Sequence, residues 1–115
     1  MTPTPRNASQ VVAGVHSELP ISTHATTSRA LLHNESVRVV VFAFDTGERL
    51  TDHAAAKPVV VQLIEGRLRL SVEDEDHELV AGDVAYLAPG AQHALEALEP
   101  SRLALVIVHG DRSES

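Results

Sequence analysis

Alternation is strictest over Arg67–Val72 (RLRLSV), where Leu68, Leu70 and Val72 fall on one face of an extended chain and the polar residues on the other. Val37–Phe44 (VRVVVFAF) is apolar at nearly every position, which predicts a strand covered on both faces. Further strands are predicted over Val59–Ile64, His77–Val80, Val84–Leu87, Ala94–Leu98 and Leu103–His109, and His33 marks the end of another. Turn signals separate them: Asp45-Thr46-Gly47, Glu65-Gly66, Ala81-Gly82-Asp83, Pro89-Gly90 and Pro100-Ser101. The acidic run Glu73-Asp74-Glu75-Asp76 reads as a solvated hairpin tip, because neighbouring strand residues point to opposite faces and cannot converge on one ion. Six or more short strands at this spacing, with no amphipathic helix between them, predict an all-β sandwich or closed barrel.

Three of the six prolines lie in residues 1–27, which read as a partly ordered N-terminal arm. Residues 28–115 form the predicted β-domain, and 115 residues suit a single core. With 43% hydrophobic residues the composition is globular, and with no cysteine there is no disulfide, thiolate metal site or cysteine nucleophile.

Charge narrows the partners. The chain carries a formal charge of −7, and its basic residues are scattered singly, so no basic stripe is offered to nucleic acid or to an anionic membrane. No apolar run approaches the ~20 residues of a membrane span, and no apolar block of signal-peptide type follows Met1. The expectation is a cytoplasmic protein.

Seven histidines are the main source of candidate chemistry. His16 and His24 fall in the arm, His33 at a turn, His77 in a hairpin and His109 at the end of the last strand; each reads singly as structural or solvated. His53 and His93 differ, since glycines and prolines around them set where they point. Were their strands neighbours, the two imidazoles would converge, and neutral imidazole is the commonest protein metal ligand.

Gly47, five residues, His53 and then Gly66 keep the spacing of the first cupin motif; Gly82, Gly90 and His93 keep that of the second. Over residues 37–109 the sequence therefore resembles the cupin superfamily in its small single-domain form. The resemblance implies a jelly-roll β-barrel with ligands held inside, and a homodimer. It also implies a metal site of three histidines and a glutamate, of which this chain keeps His53 and His93. Ala55 and Val59 stand at the other histidine and the glutamate positions, Ala88 at the motif proline (Pro89 follows it), and Ala97 at the asparagine.

The expected function is that of a small-molecule-binding or sensing cupin with a mainly apolar cavity. His53 and His93 are its polar handles, and Gln62 and Tyr86 complete the predicted ligand-binding set. Simple alternation turns Gln62 outward, and a bulge at Lys57-Pro58 would turn it in. The alternative is a metal-dependent enzyme of dioxygenase or isomerase type, with one divalent transition metal weakly held by His53 and His93. A third reading is an interaction domain whose second copy covers the outer face of Val37–Phe44.

Overall fold

The structure, a computed structural model, describes residues 8–14, 19–54 and 56–109; for residues 51–54 it describes the backbone alone. Among the described residues nine strands follow one another: β1 (Thr26–His33), β2 (Val37–Phe44), β3 (Arg49–Ala54), β4 (Val59–Glu65), β5 (Arg67–Val72), β6 (Glu75–Val80), β7 (Val84–Leu87), β8 (Gln92–Ala97) and β9 (Ser101–Val108). They form two antiparallel sheets, ordered β1-β2-β9-β4-β7 and β3-β8-β5-β6. This is an all-β jelly roll. Of the sandwich and the closed barrel that the strand pattern allows, the described residues form the sandwich: among them no ladder joins β1 to β3 or β7 to β6, so two seams stay open between the sheets.

Strand registers assign the inner face. Val59, Val61 and Leu63 of β4 lie opposite Ile107, Leu105 and Leu103 of β9, which lie opposite Arg38, Val40 and Phe42 of β2. On the other sheet Leu68, Leu70 and Leu95 face inward. These residues, with Phe44, make the core, and Leu63, Leu68, Leu103 and Val61 are fully buried. Each such side chain contributes roughly 2 kcal/mol by leaving water.

The sheets are joined at Gly66, between β4 and β5. Its φ is +93°, and a Cβ there would collide with Ser101 Oγ and the Pro100 carbonyl. Ser101 is fully buried; its hydroxyl accepts from the Arg67 amide at 3.0 Å and donates to the Glu99 carbonyl at 2.7 Å. Only glycine supplies this conformation and this close approach together.

β1 begins at Thr26, two residues before the predicted start. The segment ahead of it is tied to the body at two points. The Arg102 Nε donates to the Leu19 carbonyl at 2.8 Å while its guanidinium holds Glu65. Asp45 accepts from the His24 amide at 2.7 Å and the Thr46 amide at 2.9 Å, and these bonds hold its carboxyl below the usual carboxylate range. Arg102 lies opposite Ala43, so Leu19 crosses the outer face beside β2. Val41 and Ala43 of that face are already buried within one chain, without a second copy.

Candidate functional site

The largely apolar space between the sheets lies toward the β1/β3 seam and measures about 480 Å³. Val40, Phe42, Leu95, Leu105 and Ile107 are among the residues that line it, with Val59 behind them. Its polar groups among the described residues are few: Ser28, Arg38, Lys57 and His93.

His93 reaches this wall because it continues the inward row of β8, two residues before Leu95. Its ring Nδ1 lies 3.2 Å from the Ala91 carbonyl; a carbonyl oxygen only accepts, so Nδ1 carries the proton in this contact. The β3–β8 register sets His53 directly opposite His93, after a shift between Leu50 and His53. The backbone therefore brings together the two histidine positions that the sequence singled out. The His53 side chain itself lies outside the described residues, as does Ala55.

The other two predicted residues do not join them. Gln62 is exposed on the outer face of β4, because Val59, Val61 and Leu63 hold the inward positions and nothing at Lys57-Pro58 reverses the alternation. Tyr86 is 64% exposed; its neighbours Ala85 and Leu87 hold the inward positions of β7, opposite Val61 and Val59, and it borders a different cavity.

Residues of the cavity wall that sequence spacing passed over are cationic. Arg38 shares the inward row of β2 with Val40 and Phe42, a placement that the alternation of VRVVVFAF contained. Lys57 sits in the turn before β4, where no periodicity marked it. Its Nζ lies 3.1 Å from His109 Nδ1, and the His109 ring packs 5.5 Å from that of His33, tilted by 53°. An ammonium only donates, so His109 Nδ1 accepts and the ring is neutral in this contact. Desolvation lowers the His109 pKa from its ordinary value, and the nearby charges of Lys57, His33 and Arg38 lower it further.

Local backbone chemistry gathers these groups. Asn34 Oδ1 accepts from the Ser36 and Val37 amides at 2.7 and 2.9 Å, closing the turn that sets His33 opposite Arg38. The His109 amide donates to the Ser36 carbonyl at 2.8 Å, and the Val108 amide to the Pro58 carbonyl at 3.0 Å. Three chain segments thus meet at one end of the cavity.

A resident metal does not fit the described donors. Val59, at the motif's glutamate position, is buried in the core, and no three His, Asp or Glu side chains gather among the described residues. The wall that holds His93 also holds two fixed cations, where metal sites use anionic or neutral donors.

The family profile described as Cupin domain matches residues 40–109. This chain belongs to the cupin family. The cupin fold recurs in solved structures of similar size. A conserved protein of unknown function from Streptococcus pyogenes superposes with a TM-score of 0.81 at 22% identity, covering 96% of this chain and 97% of that one. A cupin superfamily protein from Desulfitobacterium hafniense gives 0.80 at 16% identity, covering 90% and 94%. A salicylate 1,2-dioxygenase from Pseudoaminobacter salicylatoxidans gives 0.69 at 14%, covering 81% of this chain and 28% of the dioxygenase. At these identities the likeness establishes the cupin fold. A comparison with curated proteins finds no match.

Proposed function

We propose that this cupin binds a small organic molecule between its sheets and needs no metal to do so. The observation that carries the reading is the cavity of about 480 Å³, apolar along most of its wall and furnished with a few polar groups at defined places. That is the usual make-up of a ligand site, and the volume falls in the ordinary ligand range. His93, fixed by the Ala91 carbonyl, is one such group.

The neutral fluorescent probe N-phenyl-1-naphthylamine tests this without reference to charge. Its emission should rise on mixing with the protein in chelator, and Leu105→Trp, which fills the cavity, should lower the affinity about tenfold or more. The companion measurement is elemental analysis of untagged protein beside His93→Ala. Near one metal per chain, lost in the variant, with no probe binding in chelator, would overturn the proposal in favour of a metal-dependent enzyme.

A further inference from the structure

The cavity has a charged end, and its sign runs against that of the protein. In a chain of net charge −7, no Asp or Glu lines this cavity among the described residues. Arg49, Arg67, Arg69 and Arg102 each hold at least one glutamate in ion pairs. Arg38 and Lys57 make no such pair among the described residues, although acidic residues outnumber basic ones 16 to 9. Lys57 instead contacts an imidazole, His109, which packs at a tilt against a second one, His33, and His33 faces Arg38 across the β1–β2 ladder.

Like charges gathered without a counter-ion raise each other's energy. An anion placed there would remove that cost, and it would receive planar donors from Arg38, an ammonium from Lys57 and N–H groups from the imidazoles. Beyond these groups the described wall is largely apolar, Phe42, Val40, Leu105 and Ile107 among it, with Ser28 and His93 its other polar residues, so it suits an apolar body better than the many hydroxyls of a sugar.

We infer that the ligand is an amphipathic carboxylate, its anionic head at Arg38 and Lys57 and its apolar body between the sheets along Phe42, Leu105 and Ile107. This rests on the cavity reading above and names the ligand class for it. Arg38 is the specificity-determining residue in this assignment, since its fork of donors matches a carboxylate in two bonds. Binding also favours protonated His109, because the carboxylate offsets the nearby cations that, together with the larger effect of desolvation, hold its pKa down.

The test pairs each acid with its neutral amide: octanoate with octanamide, and 3-phenylpropionate with 3-phenylpropionamide. Calorimetric titration at low salt, in chelator, should give each acid at least a tenfold advantage over its amide. Arg38→Gln and Lys57→Gln, both at exposed positions and compatible with the fold, should bring that ratio toward one. In wild type, acid binding near neutral pH should take up protons, read as a heat that varies with the ionisation enthalpy of the buffer. Equal affinity for acid and amide, with no effect of either variant, would overturn the anionic assignment and leave the cavity reading standing. Binding of neither member of either pair, together with failure of the neutral fluorescent probe, would overturn both.

Discussion

The two open seams of the sandwich enclose spaces of nearly equal size and opposite character. Toward β1 and β3 lies the cavity of about 480 Å³, bounded by apolar residues with Arg38, Lys57 and His93. Toward β6 and β7 lies one of about 490 Å³, bounded by Glu73, Glu75, His77 and the exposed Val84 and Tyr86. Its polar groups are carboxylates, and His77 sits 3.5 Å from Glu75. Volume therefore does not distinguish the two spaces. What does is how the core ends: at the first seam the apolar rows run out into Arg38, Lys57 and His93, while at the second they run out into an acidic hairpin tip.

Val61 stands at the divide. It is fully buried and faces Leu105, which lines the first space, on one side and Ala85, which lines the second, on the other. Val61→Asp should abolish both by unfolding the domain, at a cost of roughly 4 kcal/mol or more for an unpaired buried charge. Loss of the cooperative transition in a thermal melt followed by circular dichroism is the expected result. A folded variant that has lost only ligand binding would contradict the inward assignment of β4.

Gly66 carries the chain from one sheet to the other where the backbone passes closest to Ser101. Gly66→Ala combines a forbidden φ with a collision against Ser101 and Pro100, and should cost about 3 kcal/mol. Denaturant unfolding measures it. An equivalent substitution at Gly47, where a Cβ meets nothing within 4 Å, carries only the φ cost of about 1 kcal/mol and serves as the control.

The smallest effect belongs to the first seam and is read by pH. His109 has a lowered pKa in the fold, so the unfolded chain takes up its proton first as pH falls. Stability from this group is complete above the unfolded value of about 6.5 and declines as pH drops below it, levelling off once the folded ring is protonated as well. His109→Gln should flatten that part of the profile. Melting temperature against pH for the two proteins is the measurement.

Much of the fold was readable along the chain. The bounds of β2, β5 and β7 follow from alternation and from the turn residues that flank them, and Glu73 and Asp74 do form an exposed hairpin tip, with φ of 43° and 73°. β8 and β9 each begin two residues earlier than expected, because the ladders extend past the apolar residues that signal them. The site was readable only in part. His93 was marked by the turn before it. Arg38 was hidden in plain alternation, because a charge in an apolar strand does not by itself announce a ligand. His33 and His109 were each set aside as solitary, and no local signal could pair residues that only the β1–β2–β9 registers bring within 5.5 Å.

The strand order also bears on how the protein comes into being. β9 is the last strand of the described chain, yet it lies between β2 and β4 and pairs with both. Until it has left the ribosome, those two strands expose bare hydrogen-bonding edges and no cavity exists. Folding of this domain thus waits for β9 and is dominated by contacts distant in sequence, the arrangement that slows folding and leaves unpaired edges exposed meanwhile.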